Sequence, residues 1–219
     1  MTTSDQQVAA HHAVASDVVV AAPAPTLNPA FAGDPSTLGL PSFVVGSIAL
    51  GLSLLDVAPG GAPLAILLGA TSLGLLVAAI WAAALGQSAV ASIFGIFSGF
   101  WLSYSLLVLG LTHGWFGIAA EDVVGSVQLF QISWLIIILA LTLGTLRLPL
   151  AFTLVFALID LALVLLLIGT NDQESLGLER IAGVVVLAFA AVGLYLFFNA
   201  GSMATGGKSL PLGSPILKS

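Results

Sequence analysis

No cysteine occurs among the 219 residues, and charge is nearly as scarce, with four Lys and Arg and ten Asp and Glu making 6% of the chain. The first absence excludes disulfides, thiolate nucleophiles and iron–sulfur or zinc–thiolate centres. The second excludes an ordinary soluble domain, about a quarter of whose residues are charged. It also excludes wholesale disorder, which requires high charge and low hydrophobicity. Four basic residues cannot form the patch that neutralises phosphates, so no nucleic-acid partner is expected. What fills the chain is apolar: 59% hydrophobic residues and a mean hydropathy of +1.17. In a chain this short, that composition points to a single polytopic membrane domain in a lipid bilayer.

Six apolar runs reach the roughly 17 residues needed to cross about 30 Å of hydrocarbon, at residues 40–57, 63–85, 90–111, 127–146, 150–169 and 180–199. Their punctuation is local chemistry. Pro59-Gly60-Gly61 closes the first run, and Pro63 opens the second at a first-turn position where a missing N–H costs little. Gly86-Gln87-Ser88 separates the second from the third. Arg147-Leu148-Pro149 breaks the fourth from the fifth, because the residue before proline avoids helical geometry. Asn171-Asp172-Gln173-Glu174 reads as the last loop. Barrel strands would alternate apolar and polar, whereas Leu135-Ile136-Ile137-Ile138-Leu139 is apolar on every side. A helix satisfies its own backbone, so the expected fold is an all-α membrane protein of six transmembrane helices.

Six spans put both termini on one side. That side carries Arg147, Lys208 and Lys218, and the other carries only Arg180, so the positive-inside rule puts both termini in the cytoplasm. Residues 1–33, rich in Ala, Val and Pro, lack a basic n-region and read as a disordered cytoplasmic tail. Residues 34–200 are the transmembrane domain, and the Gly-, Ser- and Pro-rich residues 201–219 read as a second cytoplasmic tail. The localisation expected is the plasma membrane, multi-pass.

Small residues at helical spacing let helices approach closely in lipid. Ser42, Gly46 and Gly51 mark the first span, Ala70, Gly74 and Ala78 the second, Gly95, Gly99 and Ser103 the third, and Gly183 and Gly193 the sixth. Most of these read as packing seams.

Ionisable residues inside a span are costly, and Asp160 lies near the middle of the fifth. It shares a helical stripe with Thr153 and Phe156, and no Lys, Arg or His lies at a span centre to pair with it. That makes Asp160 the candidate for proton coupling, set against a hydrogen-bonded structural carboxyl. Asp34, Asp56, Glu121, Asp122, Asp172, Glu174 and Glu179 fall at interfaces and read as solvated or helix-capping. No span holds a His for metal or haem or a Lys for a retinal pigment, and His11-His12 in the tail reads as a bystander pair. No metal and no cofactor are therefore expected. Ser98 in Gly95-Ile96-Phe97-Ser98-Gly99 lacks G-x-S-x-G spacing, so an enzyme is not expected.

Two stretches resemble a known family. Gly33-Asp34-Pro35-Ser36-Thr37-Leu38-Gly39-Leu40-Pro41-Ser42-Phe43 resembles the N-P-A-P-L-G-L-x-x-F signature of the acetate uptake transporter family, with Asp34 for the asparagine and Ser36-Thr37 for Ala-Pro. Phe94-Gly95-Ile96-Phe97-Ser98-Gly99-Phe100-Trp101-Leu102-Ser103 resembles the family's F-x-x-Y-G-x-F-W-L-[ST] segment. Gly144-Thr145-Leu146 before Arg147 is a weaker third match. That family includes bacterial acetate/succinate–proton symporters and yeast acetate and ammonia exporters.

The resemblance implies a six-helix protomer with the fold of urea and amide channels, assembled as a ring-shaped hexamer with one pathway per protomer. It implies a constriction at Phe43, Phe97 and Ile159, an entrance shaped by Asp34, Pro35, Leu38, Gly39 and Leu40, and a size-setting small residue at Gly193. Ser98 and Ser103 are candidate hydrogen-bond donors to a substrate carboxylate. The chain departs from the family at Phe97, where tyrosine is usual, at Gly51 and Leu75, where asparagine and glutamine are, and at Asp160, where a threonine can stand. The expected function is transport of acetate or a similar short monocarboxylate together with a proton, since a dry constriction excludes hydrated ions and favours the neutral acid. The rivals are a passive channel for ammonia, urea or amides and a membrane scaffold that transports nothing.

Overall fold

The computed structural model describes residues 32–59, 61–171 and 176–218. The N-terminal tail with His11-His12 and the acidic pair Asp172 and Glu174 lie outside the described residues. All regular structure among the described residues is helical, and six helices are long and apolar enough to cross a membrane. They are α1 (Ser36–Leu54), α2 (Pro63–Ala84), α3 (Ser88–His113), α4 (Val123–Thr145), α5 (Leu150–Asn171) and α6 (Leu176–Ala204). Odd-numbered helices run away from the face that carries Asp34 and Lys208, here called the terminal face, and even-numbered helices return to it.

The helix ends follow the turn chemistry. Helix α1 starts four residues before the apolar run because Asp34 organises its first turn: the Ser36 amide donates to Asp34 Oδ1 at 2.8 Å, and Thr37 Oγ1 donates to the Asp34 carbonyl at 2.7 Å. It ends in a Schellman arrangement, with the Val57 amide on the Leu52 carbonyl, the Asp56 amide on the Ser53 carbonyl and Asp56 itself at φ +59°. The exposed Asp56 carboxylate also pairs with Arg180 at 3.1 Å. Gly86, at φ +72°, ends α2 in the same way.

Small residues permit the close approaches. A side chain at Gly46 would run into Thr71, one at Gly74 into Ser42, and one at Gly51 into Leu187 and the backbone of Gly183. Helix α1 is thereby pressed against α2 on one side and α6 on the other. Helix α2 is not regular: residues Leu67–Ser72 wind as a π-helix. Ser72 Oγ donates to the Leu67 carbonyl at 2.7 Å, and Ser98 Oγ of α3 donates to the Ser72 carbonyl at 2.8 Å, tying the irregular turn to the neighbouring helix.

Helix α4 is attached differently. Only 11% of its span is buried, against 39% in each of the other five. It meets α5 through hydrogen bonds at three depths. Gln131 Nε2 donates to Thr170 Oγ1 at 3.0 Å, Thr142 Oγ1 donates to Asp160 Oδ2 at 2.6 Å, and Thr153 Oγ1 donates to the Thr145 carbonyl at 2.9 Å. Such bonds join helices that have no hydrophobic reason to associate in lipid.

Helix α6 extends to Ala204, five residues past the apolar run, so the segment read as a tail begins helical. The rest of it folds back across the terminal face. Tyr195 Oη donates to the Pro211 carbonyl at 2.9 Å, and the Leu210 amide donates to Asn199 Oδ1 at 2.8 Å. The Ala151 amide, an orphan donor in the first turn of α5, donates to the Leu212 carbonyl at 2.9 Å. The Leu217 amide donates to the Leu146 carbonyl, also at 2.9 Å. The segment is a strap across the ends of α6, α5 and α4.

Candidate functional site

The interior of the bundle is aromatic. Phe43 of α1 meets Phe97 of α3 edge to face, with ring centroids 5.3 Å apart at 73°. Phe189 of α6 lies 5.7 Å from Phe43, and Phe156 of α5 lies 5.7 Å from Phe97. Each of these rings is at most 6% exposed. The Phe43–Phe97 and Phe97–Phe156 pairs are edge to face and contribute about 0.5–1.5 kcal/mol each beyond the area they bury.

Two cavities meet at this cluster. The larger, about 220 Å³, lies toward the terminal face and is lined by the early turns of α1, α3 and α5 and by Leu196 near the end of α6. The smaller, about 30 Å³, lies further along the same helices, beside Leu50, Trp101, Leu163 and Val186. Phe43 and Phe97 line both. The ring pair is thus the partition between two apolar spaces. Helix α4 contributes to neither wall, and α2 contributes only Leu75.

An apolar cavity of about 150 Å³ stays dry and accepts a small organic molecule. The larger space here exceeds that, and the only polar side chain on its wall is Ser36. Water and ions gain nothing by entering such a space, whereas an uncharged solute of a few heavy atoms loses little.

The residues singled out from the sequence fall in three groups. Phe43, Phe97 and Ile159 come together around the smaller cavity. Of the entrance motif, Leu40 lines the larger cavity, Pro35 is buried, Leu38 packs against the aromatic core, and Gly39 leaves room for the Phe94 ring that also lines that cavity. Asp34 is exposed and accepts the Ser36 amide just before α1. Gly193 lies behind the partition: a methyl group there would stand 3.0 Å from Val44 and 3.5 Å from the Phe43 ring.

Ser98, Ser103 and Asp160 line neither cavity. The Ser98 hydroxyl is spent on the Ser72 carbonyl, and the Ser103 hydroxyl turns back to the Gly99 carbonyl at 2.7 Å. Asp160 is 8% exposed and faces α4 through Thr142. Its stripe-mate Phe156 lines the larger cavity while Thr153 turns to α4, so the three-residue stripe divides between wall and helix contact. Among the described residues, no cluster of His, Asp and Glu could hold a metal ion.

The sequence points to Phe156 through its place on the Asp160 stripe, but not to Phe152, Phe189 or Trp101 as wall residues. Trp101 lies inside the third-span motif, and Phe189 carries no signal. Among the described residues three buried polar side-chain atoms lack a hydrogen-bond partner: Thr71 Oγ1, Trp101 Nε1 and Asp160 Oδ1. Leaving such an atom unpaired costs about 1–3 kcal/mol.

Comparison with known proteins gives this architecture relatives. The profile of the GPR1/FUN34/yaaH family matches residues 20–210. Acetate permease A of Emericella nidulans is 29% identical over 156 residues, covering 66% of this chain and 51% of the permease. Accumulation of dyads protein 2 of Saccharomyces cerevisiae is 30% identical over 189 residues, covering 76% of this chain and 63% of that protein. The chain thus spans about half to under two thirds of these relatives' lengths. The solved structure of the bacterial acetate channel SatP superposes with a TM-score of 0.73 at 23% identity, covering 83% of this chain and 99% of that one. The six-helix architecture expected from the apolar runs is therefore shared with a solved channel.

Proposed function

This chain belongs to the GPR1/FUN34/yaaH family, and from that premise we propose that it moves acetate or a similar short monocarboxylate across a membrane. The observation that carries the reading is the pair of apolar cavities divided by the Phe43–Phe97 ring pair. The acid enters the larger space, the rings part, and the acid passes through the smaller space beside Ile159. The names of the Emericella permease and of the SatP channel point to the same solute.

The wall supports transfer as the neutral acid or together with a proton. A bare carboxylate would cross the partition without a cation or a row of donors to replace its hydration. Asp160 is the candidate proton-coupling group. It sits one residue past Ile159 and faces Thr142 of α4, so coupling would run through the α4–α5 contact rather than across the cavity wall. Both termini are proposed to be cytoplasmic, which Arg147, Lys208 and Lys218 on the terminal face support. The plasma membrane is the proposed location. Assembly as a hexamer is part of the same proposal. It is supported by the apolar exposure of α4, where Leu129, Ile136 and Leu143 are each more than 60% exposed.

One observation favours a second reading. No charged side chain lines either cavity, as suits a passive channel for small neutral solutes. Labelled-acetate flux into proteoliposomes, with and without an inward proton gradient, separates the two. Coupled transport gives saturable acetate uptake, whereas a passive pathway gives uptake that rises in proportion to the concentration of neutral acid; accumulation alone does not separate them, because acetic acid that only equilibrates is also trapped as acetate on the alkaline side. Absence of any acetate flux in either condition contradicts both.

A further inference from the structure

We propose that the C-terminal strap is a lipid-binding element, which lays Ile216 and Leu217 into the acyl boundary of one leaflet and holds anionic phospholipid headgroups with Arg147, Lys208 and Lys218. The assignment needs only that the six helices cross a membrane, and it stands whether or not the cavities carry acetate.

Three observations converge on the strap. First, its depth is set by the residues that pin it. Tyr195, whose hydroxyl donates to the Pro211 carbonyl at 2.9 Å, lies inside the sixth apolar run, about 6 Å short of its end at Asn199. Leu146 closes the fourth run and accepts the Leu217 amide, and Ala151, at the start of the fifth, donates to the Leu212 carbonyl. The strap thus runs level with the end turns of three spans, where headgroups meet acyl chains. Second, residues 210–217 carry no charge, and Ile216 and Leu217 are 55% and 48% exposed. Third, cations flank this stretch. Lys208 and Lys218 bracket it, and the Leu217–Leu146 hydrogen bond makes Lys218 and Arg147 neighbours of one contact. All three are exposed, and among the described residues none is ion-paired. Asp34 is the only side-chain carboxylate on the terminal face among those residues.

These features select the ligand. Lysine and arginine lay their stems along apolar surface and carry the charge outward, so side chains rooted at this depth reach the phosphate layer. A zwitterionic lipid brings its own ammonium to each phosphate, whereas an anionic lipid leaves the phosphate charge for the protein to meet. Each Lys or Arg near an anionic surface strengthens the attraction about fivefold. A soluble anion fits less well. It gains nothing from Ile216 and Leu217, and the cations are divided between two places. Lys208 is at the end of α6, where Ser202 Oγ donates to its carbonyl at 2.8 Å, and Arg147 and Lys218 are at the turn between α4 and α5.

The test uses the cysteine-free chain, in which Ile216→Cys carries a single fluorophore. The labelled protein is reconstituted in phosphatidylcholine vesicles containing about 30% phosphatidylglycerol, with bromine in the acyl chains of one lipid or the other. Bromine quenches only on close approach, so quenching per mole reports which lipid lies at the strap. The expected result is quenching by both lipids, about threefold or more stronger per mole for brominated phosphatidylglycerol. The preference should vanish in the labelled Arg147→Gln/Lys208→Gln/Lys218→Gln variant and shrink at high salt, which screens the charges. Inorganic phosphate added at constant ionic strength should leave it unchanged. Equal quenching per mole by the two lipids, or an undiminished preference in the triple variant, overturns the headgroup site. Loss of the preference on adding phosphate overturns it in favour of a soluble anion. Absence of quenching by either lipid overturns the acyl contact and puts Ile216 against water or a second copy of the chain.

Discussion

Replacing Phe97 by Ala tests whether the ring pair is the partition. Phe97 is 4% exposed and makes three ring contacts, at 5.3 Å to Phe43, 5.7 Å to Phe156 and 6.3 Å to Phe100. At about 0.5–1.5 kcal/mol per contact the packing loss is roughly 1.5–4.5 kcal/mol, which overlaps the usual Phe→Ala range of about 3–5. In lipid the transfer term is small, which favours the lower part of that range. A protein stable by roughly 5–15 kcal/mol survives that loss. The consequence for passage is larger, because the variant joins the 220 Å³ and 30 Å³ spaces into one. If the rings set the barrier for a bulky acid, lowering it by about 1.4 kcal/mol raises that flux about tenfold. The assay is uptake of labelled acetate and of a branched five-carbon acid by proteoliposomes of matched protein content. The expected outcome is a gain for the bulky acid of about tenfold with little gain for acetate. Phe130→Ala is the control. It removes ring contacts to Phe100 and Trp134 without touching either cavity, so it loses stability while selectivity stays. A folded Phe97→Ala protein with wild-type selectivity refutes the reasoning and puts the size filter elsewhere.

Other outcomes follow from the same geometry. Gly193→Val should press Val44 and the Phe43 ring, already 3.0 Å and 3.5 Å from an added methyl, and lower acetate flux about tenfold or more; unchanged flux would separate Gly193 from the partition. Thr142→Val removes the donor to Asp160 and should lower stability in detergent by about 0.6–1.7 kcal/mol, the range for interhelical bonds in membranes, read from thermal unfolding. Asp160→Asn should abolish proton-driven accumulation of acetate if that carboxyl couples the proton, and an intact response to the gradient would leave it a purely structural contact. Truncation after Gly207 removes the Leu212 acceptor of the Ala151 amide, so hydrogen exchange at Ala151 should accelerate at least tenfold, and unchanged protection would mean that the strap does not hold the start of α5.

The helices were legible where the chain carries its own punctuation. Gly86-Gln87-Ser88 and Arg147-Leu148-Pro149 mark turns by local chemistry that tertiary contacts do not override. The apolar run begins four residues after α1 does, because Asp34 and Pro35 interrupt the run while building the first helical turn. The π-helical turn at Leu67–Ser72 had no local signal, since its anchor, Ser98, belongs to another helix. The C-terminal strap has a linker's composition, yet Tyr195 and Asn199 pin it from 16 and 11 residues away, a placement that composition does not encode.

The wall residues show a deeper reason. In a soluble helix the buried face is the apolar one, but in α5 and α6 nearly every face is apolar, so pattern cannot tell wall from lipid. Phe189 and Phe198 look alike in the sequence, and one is 3% exposed while the other is 62%. Phe43 and Phe97 stood out only because they lie in motifs. Asp160 stood out by its cost in hydrocarbon, but its partner Thr142 comes from a different helix and gave no warning in the sequence.

The absence of cysteine makes the most direct measurement simple, because any thiol introduced is the only one present. Val90→Cys probes the larger cavity and Leu166→Cys the smaller, on opposite sides of the ring pair. Each single-cysteine protein is reconstituted, treated with a small uncharged thiol reagent with and without acetate, and assayed for acetate flux. Both cysteines should react, either modification should block flux, and acetate should slow both reactions. Full acetate flux through proteins fully modified at both positions would contradict the account.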